Sequence, residues 1–202
     1  MIAILDYGVG NVKSISNMFK KIGVESVITA DTEVLKSASK YILPGVGAFD
    51  YGMTRLNQSG AIPTLENEVL ANKKPILGIC LGMQLLTLRS DEGIEKGLGW
   101  VDAETLKFKL DTSQYAIPHM GWNEIVPKSD QKLFNGLYEE ARFYFVHSYY
   151  VSCKNQTDIA ASCNYGGDFT CSVHRENIYG VQFHPEKSHK FGMQLLKNFS
   201  EL

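Results

Sequence analysis

The sequence has few of the residue types and patterns that mark several protein classes. Its 202 residues include 4 cysteines, 2 tryptophans and 6 prolines, and the formal net charge at pH 7 is −2. Because there is no basic block, binding to nucleic acid has no electrostatic support. No apolar run approaches the ~20 residues that a membrane-spanning helix needs, so we expect no membrane association.

The few cysteines follow no regular spacing, which is typical of a protein kept in a reducing compartment. Cys153, Cys163 and Cys171 fall in or beside strand-like runs, and we interpret them as unpaired and structural. The N-terminal strand meets Asp6 too early to be a signal peptide. We therefore expect a cytoplasmic protein, with no bound metal and no cofactor.

Apolar periodicity predicts an α/β fold in one domain that spans residues 1–202. Strands alternate with helices in the first half, which indicates a mostly parallel central sheet flanked by helices. From Val101 onward strands and turns dominate, so we expect antiparallel strands in the C-terminal half. The predicted strands are 2–5, 24–29, 41–43, 75–80, 105–110, 123–126, 143–151, 159–163, 170–173 and 178–183, and the clearest predicted helices are 11–22 and 187–202.

Residues 78–82 read Gly-Ile-Cys-Leu-Gly and predict a strand that ends at Cys80 and turns directly into a helix reaching Leu88. A nucleophile on such a sharp turn needs small residues two positions to either side, where Gly78 and Gly82 stand. The positive end of the helix would favour the thiolate. The other interpretation is a buried cysteine in a tight turn.

Residues 182–186 read Gln-Phe-His-Pro-Glu and follow another strand-like run. An extended chain points the side chains of His184 and Glu186 to the same side, because they are two positions apart. A cysteine nucleophile requires a base, and the base requires a group that orients it. Histidine and glutamate can fill these roles, although an ordinary strand-ending turn would have the same residues.

A third strand runs into a glycine-rich turn, Pro-Gly-Val-Gly at residues 44–47. Backbone N–H groups of Val46 and Gly47 could bind a developing oxyanion there. The N–H of Leu81, directly after the proposed nucleophile, would be the second donor. Taken alone, this motif favours a plain turn over an oxyanion site.

Together, these three segments resemble the class I, triad-type glutamine amidotransferase family, and the resemblance extends over nearly the whole chain. Residues 6–11, 118–123 and 186–188 resemble one glutaminase subunit of that family more closely. The resemblance implies the family's α/β fold. It also implies that Cys80, His184 and Glu186 hydrolyse glutamine to glutamate and ammonia.

The resemblance further implies that Gln84, Glu92 and the backbone around Ser148 and Tyr149 recognise glutamine. A carboxylate suits the α-ammonium group of that substrate, although Glu92 could also be a solvated loop acid. His147 lies inside a run of aromatic residues, so we interpret it as a wall or interface histidine and not as the base.

Ammonia needs an acceptor, and a single domain has none, so a partner chain is expected. In the resembled subunit the partner is a (β/α)8-barrel cyclase of histidine biosynthesis, in a heterodimer. The docking surface should surround the mouth of the Cys80 site, on separate loops, with Trp122 as its anchor unless that side chain packs into the core. The expected interface residues are Asn11, Met120, Trp122, Tyr144 and Lys187.

Three other functions stay open. A paralogous glutaminase could supply a different synthase, such as one that amidates a surface-polysaccharide sugar. A cysteine peptidase-like relative is disfavoured because it would not need the ammonium-binding residues Gln84 and Glu92. A catalytically inactive binding module is disfavoured because the cysteine, histidine and glutamate are all present.

Overall fold

The structure, a computed structural model, describes residues 1–138 and 140–202. Strands and helices alternate along the first half, as the periodicity predicts. The strands are β1 (Ile2–Leu5), β2 (Ser26–Thr29), β3 (Lys40–Leu43) and β4 (Ile76–Ile79). The helices are α1 (Val12–Lys21), α2 (Thr32–Ser37), α3 (Phe49–Gln58), α4 (Ile62–Leu65), which continues into the π-helical segment Glu66–Ala71, and α5 (Leu81–Leu85).

The second half is built mainly from strands. They are β5 (Ala103–Lys107), β6 (His119–Glu124), β7 (Val126–Pro127), β8 (Arg142–His147), β9 (Tyr149–Cys153), β10 (Ile159–Asn164), β11 (Asp168–Arg175) and β12 (Ile178–Val181). Short 3₁₀ turns cover Lys132–Phe134, Gln156–Asp158 and Pro185–Lys187, and the last helix is α6 (His189–Glu201).

One central sheet joins both halves. Strands β2, β1, β3, β4 and β12 lie side by side in that order and pair in parallel. Beyond β12 the sheet continues antiparallel through β11, β10 and β7, and β9 links β11 to β5. A separate two-stranded ribbon pairs β6 with β8. The predicted α/β class, with a parallel sheet and antiparallel strands in the C-terminal half, is confirmed.

The parallel strands are buried on both faces, which explains their continuous apolar runs. Along β1, Ile2 and Ile4 join one hydrophobic core, whereas Ala3 and Leu5 join the other. Helices α1 and α6 cover the first core and α2 to α5 cover the second. None of the helices within the described residues is long and apolar enough to cross a membrane.

Several predicted strand boundaries were wrong, both in the ribbon and in the main sheet. Residues 143–151 form two strands and not one, because the chain bends at Ser148 and passes from the ribbon into the main sheet. Strand β6 begins at His119, four residues before the predicted start. Strand β5 also begins earlier, at Ala103, and ends at Lys107.

Two helix boundaries also differ from the prediction. Helix α5 ends at Leu85, and Leu88 is 44% exposed, with its N–H bonded to the carbonyl of Ala103 instead of continuing the helix. Helix α6 begins at His189, because residues 185–187 form a separate 3₁₀ turn.

Candidate active site

The ends of three neighbouring parallel strands position the site. The turn at residues 44–48 follows β3, Cys80 follows β4, and His184 lies three residues beyond the end of β12. Strand β4 pairs with both β3 and β12, so the three segments meet at the carboxyl edge of the sheet. This edge is where open α/β sheets bind their ligands.

Cys80 occupies a strained turn between β4 and α5. Its φ is 54° and its ψ is −111°, a conformation that L-residues rarely adopt and that often accompanies function. The two flanking glycines are required by space. A Cβ on Gly82 would lie 1.8 Å from the carbonyl oxygen of Leu43, and one on Gly78 would lie 2.7 Å from that of Gly82.

His184 and Glu186 form a buried pair beside this turn. His184 Nδ1 lies 2.9 Å from Glu186 Oε1, and both side chains are almost completely buried. The predicted pairing therefore occurs, but the extended geometry expected for it was wrong, because Glu186 lies in the 3₁₀ turn Pro185–Lys187. His184 Nε2 has no close hydrogen-bond partner among the described residues, so it is the ring nitrogen available for proton transfer.

The environment favours the protonated form of this histidine. Burial by itself lowers the pKa of His184, but its interactions with Cys80 and Glu186 outweigh burial and raise the pKa to about 10. The imidazole is therefore mostly protonated at neutral pH, which suits a group that must give a proton to a leaving amine.

Cys80 opens into a pocket of about 630 Å³. The turn at residues 44–48 and the elbow at Cys80 touch through their backbones, because a Cβ on Gly45 would lie 2.8 Å from the backbone nitrogen of Gly82. The pocket brings together the catalytic, oxyanion and substrate candidates except Glu186, which lies behind His184. Those that line it are Val46, Gly47, Cys80, Leu81, Gln84, Glu92, Ser148, Tyr149 and His184.

Glu92 and Gln84 are each held by specific partners. Glu92 Oε2 accepts the N–H of Phe49 at 2.8 Å, at the start of α3, where Ala48 supplies no side-chain cap. Gln84 Nε2 donates to the Tyr149 carbonyl at 3.3 Å and to Gln182 Oε1 at 3.0 Å. These bonds occupy the amide hydrogens of Gln84 and leave its oxygen available to a ligand.

Comparison with protein-family models decides the family. Residues 3–201 match the model described as glutamine amidotransferase class-I. The chain belongs to this family.

Curated relatives of this amidotransferase agree with that assignment. The chain is 56% identical over 199 residues to imidazole glycerol phosphate synthase subunit HisH 2 of Methanococcus maripaludis, covering 98% of each chain. It is 51% identical over 202 residues to subunit HisH 2 of Pseudomonas aeruginosa and 50% identical over 204 residues to subunit HisH of Bdellovibrio bacteriovorus, covering 100% of each chain.

Solved structures show the same fold at low sequence identity. A crystal structure of a glutamine amidotransferase matches with a TM-score of 0.77 at 16% identity, covering 99% of this chain and 97% of that one. The crystal structure of a glutamine amidotransferase from Thermotoga maritima matches with a TM-score of 0.64 at 17% identity, covering 99% of this chain and 82% of that one.

Sequence reasoning missed two polar residues that support the amidotransferase site. Gln182 Nε2 donates to Cys80 Sγ at 3.7 Å, and the Tyr7 hydroxyl donates to the Pro44 carbonyl at 2.5 Å. Gln182 stands two positions before His184, so strand alternation could have predicted that it points toward the site. No local pattern marked Tyr7, because its partner lies 37 residues away.

Other ionisable residues have environments that differ from those of the candidates Cys80, His184 and Glu186. His147 lines the pocket, but burial lowers its pKa to about 3, so it is neutral and agrees with the interpretation as a wall residue. Burial also raises the pKa of Cys153 and of Cys163 to about 12. No cluster of three or more metal-binding side chains occurs within residues 1–138 and 140–202.

We expected the five interface residues to lie on separate loops. Instead, four of them lie on or beside the ribbon. Trp122 of β6 lies directly opposite Tyr144 of β8, and the Lys187 ammonium lies 5.5 Å from the Tyr144 ring centroid. Trp122 is 45% exposed and stacks on His189, so it is not a core residue. The fourth, Met120, is exposed on β6, whereas Asn11 caps α1 by accepting the N–H of Ser14.

Proposed function

We propose that this chain is the glutaminase subunit of an imidazole glycerol phosphate synthase. One observation carries the proposal: a strained, buried cysteine shares a pocket with a histidine that is bonded to a buried glutamate. The names of relatives at 50–56% identity, covering nearly the whole of both chains, support the specific pathway.

The first half of the reaction transfers the glutamyl group to the enzyme. The Cys80 thiolate attacks the side-chain amide carbon of glutamine and forms a tetrahedral oxyanion. Backbone N–H groups of Leu81 and of the Val46–Gly47 turn are the candidate donors to that oxyanion. Protonated His184 gives its proton to the amide nitrogen, the C–N bond breaks, and ammonia leaves a thioester on Cys80.

The second half releases glutamate. Neutral His184 takes a proton from water as the water oxygen attacks the thioester carbon. A second oxyanion forms in the same place and then collapses, so that the C–S bond breaks and the thiolate returns. Glu186 stabilises the imidazolium in both halves by accepting from Nδ1.

Substrate selection rests on the pocket rim. The backbone N–H of Phe49 donates to Glu92 Oε2, and we assign the other carboxylate oxygen, Oε1, to the α-ammonium group of glutamine. The oxygen of Gln84 and the backbone of Ser148 and Tyr149 supply further polar contacts. A peptidase would not need this ammonium site, which argues against that alternative.

The ammonia is used by a partner. The relatives are named as subunits of a synthase, and we infer a heterodimer with a (β/α)8-barrel cyclase that forms imidazole glycerol phosphate and AICAR. We propose that residues 1–202 form one cytoplasmic domain that docks through the ribbon and the start of α1. The proposed contact residues remain Asn11, Met120, Trp122, Tyr144 and Lys187.

A second candidate function has one observation in its favour. Two of the relatives carry the number 2 in their names, which fits a paralogue that feeds a different synthase, such as one acting on a surface-polysaccharide sugar. Expression in a histidine auxotroph that lacks its own glutaminase subunit separates the two. Growth without histidine supports the histidine pathway, and failure of a well-expressed chain favours the paralogue.

Glutamate release from glutamine, measured with and without the cyclase, tests the proposed function itself. We expect hydrolysis that depends on the cyclase and yields one glutamate per imidazole glycerol phosphate. Hydrolysis of peptides without release from glutamine would support the peptidase alternative. No turnover of either substrate would support the inactive binding module.

A further inference from the structure

Two buried histidines form a hydrogen-bonded pair at the wall of the Cys80 pocket, which His147 lines. His119 of β6 and His147 of β8 are directly opposite each other in the ribbon. His119 Nδ1 lies 2.9 Å from His147 Nε2, and His147 Nδ1 lies 2.7 Å from the Tyr149 carbonyl oxygen. The two side chains are 2% and 6% exposed.

The partners determine which nitrogen carries each proton. A carbonyl oxygen only accepts, so His147 Nδ1 must carry a hydrogen, and His147 Nε2 must accept when the ring is neutral. His119 Nδ1 therefore donates, and His119 Nε2 accepts from Asn123 Nδ2 at 3.4 Å. Burial lowers the pKa of His119 to about 4 and that of His147 to about 3, which keeps both rings neutral.

This chain of bonds ends on the pocket wall. His147 Nδ1 spans the bend at Ser148, where the chain leaves the ribbon, and donates to the carbonyl oxygen of Tyr149. The same Tyr149 carbonyl accepts from Gln84, which also bonds to Gln182, the residue that contacts Cys80 Sγ. The orientation of His147 therefore fixes the Ser148–Tyr149 backbone against the rest of the pocket.

Packing alone does not explain an imidazole at position 119. The ring is sandwiched between Tyr165, with a centroid distance of 4.0 Å, and Phe145, at 4.8 Å. Phenylalanine would satisfy both stacking contacts, but it would leave His147 Nε2 buried without its donor. An unsatisfied buried polar atom destabilises the arrangement that contains it.

We propose that His119 is a positioning residue for glutamine hydrolysis, because its Nδ1–H orients His147 and thereby holds the Ser148–Tyr149 wall against the substrate. The inference rests on the proposed glutaminase function. The proposal gives His119 no contact with the reacting atoms. Replacing His119 should therefore alter substrate binding at the Ser148–Tyr149 wall and leave the reactivity of Cys80 unchanged.

Two variants separate the hydrogen bond from the aromatic packing. His119→Phe keeps the stacked ring and removes the donor, whereas His119→Asn keeps a nitrogen donor close to the position of Nδ1. We expect His119→Phe to lower kcat/KM for glutamine roughly tenfold, mainly through KM, as for the loss of one buried hydrogen bond. His119→Asn should recover a large part of that loss.

The rate at which iodoacetamide alkylates Cys80 separates a local effect on the wall from a general structural defect. A general defect would change this rate, whereas a local effect would not. We expect it to stay within about twofold of wild type in both variants, since the triad is not altered. His174→Phe is the matched control, because His174 of β11 also stacks on an aromatic ring, that of Tyr179, and lies beside the end of β12 that is farther from His184. It should leave kcat/KM unchanged.

The ¹⁵N NMR spectrum of wild-type His147 tests the geometry independently of variant folding and of activity. We expect a protonated Nδ1 and an unprotonated Nε2. The opposite tautomer overturns the inference, as does a folded His119→Phe variant with wild-type kcat/KM, or a His119→Asn variant no better than His119→Phe. Absence of glutaminase activity in the wild type would instead overturn the proposed function.

Discussion

His184 Nδ1 and Glu186 Oε1 lie 2.9 Å apart in a region from which water is almost completely excluded. Glu186 Oε2 has no hydrogen-bond partner among the described residues, so the carboxylate depends on the imidazolium for compensation. Removing either charge of such a buried pair leaves the other uncompensated. The pair therefore links the proton needed for catalysis to the stability of the fold.

This linkage predicts how stability changes with pH. The pKa of His184 is raised from 6.5 to about 10 in the folded chain, so the added stability is fully present below pH 6.5 and is lost as pH rises through about 10. Cys80 and Glu186 both raise this pKa, so Glu186→Gln should remove only the part of the rise that comes from Glu186. We expect the difference in urea midpoint between wild type and this variant to be largest near pH 6.5 and to shrink toward pH 10.

Glu176→Gln is the control for that series. Glu176 forms an exposed ion pair with Lys73, and its pKa is lowered and not raised, so it titrates in acid. Its difference from wild type should stay constant over the same pH range. A difference for Glu186→Gln that is constant or grows toward pH 10 would contradict the role given to the pair.

The strained backbone at Cys80 predicts an opposition between stability and activity. Glycine adopts φ 54° and ψ −111° without the clash that a Cβ causes, whereas alanine keeps the strain. We expect Cys80→Gly to be more stable than Cys80→Ala by about 1–2 kcal/mol in urea unfolding, and both to be inactive. Equal stability of the two variants would show that this turn stores no strain.

Selective alkylation tests whether Cys80 is the reactive thiol. Burial raises the pKa of the Cys153 and Cys163 thiols to about 12 and that of Cys171 well above its ordinary value, so these thiols stay protonated at neutral pH. Cys80 opens into the pocket beside a protonated imidazole. Peptide mapping after brief iodoacetamide treatment at neutral pH should find Cys80 modified first, and earlier modification of another cysteine would refute the assignment.

Trp122 tests the proposed docking face. Its exposed ring stacks on His189, with a centroid distance of 5.4 Å, so truncation should leave the fold intact. Truncating an interface anchor typically costs about 2 kcal/mol or more of binding, so Trp122→Ala should weaken the complex with the cyclase and reduce glutamine-dependent synthesis. Synthesis fed with ammonium salts should be unchanged, and tight binding by a folded Trp122→Ala variant would exclude this face.

The parts of the site that the sequence predicted are those encoded by short-range patterns. Gly78 and Gly82 identify the elbow because a sharp strand-to-helix turn needs small residues at these fixed spacings from Cys80. Gly78 avoids a local clash with the backbone of Gly82, whereas the clash that Gly82 avoids, with the Leu43 carbonyl, is visible only in the fold. Alternating strands and helices predict the parallel sheet, and the carboxyl ends of such strands meet at one edge. The meeting of Cys80 with His184 follows from that topology.

The parts that the sequence did not predict depend on contacts distant along the chain. The bend at Ser148 is hidden in an aromatic run that reads as one strand, and it is fixed by the bond from His147 to the Tyr149 carbonyl. Helix α5 stops at Leu85 because the following residues pair with β5, which periodicity cannot reveal. The partners of Tyr7 and Gln182 likewise lie 37 and 102 residues away.

The most direct test of the central claim is glutamate release from glutamine by the cyclase complex with wild-type chain and with Cys80→Ala. Because a triad acts as a unit, we expect kcat to fall on the order of 10⁴-fold or more, with His184→Ala equally impaired and the double variant scarcely worse. Ammonium-dependent synthesis should survive in every case. Residual glutaminase activity within tenfold of wild type in a folded Cys80→Ala variant would contradict the assignment of Cys80 as the nucleophile.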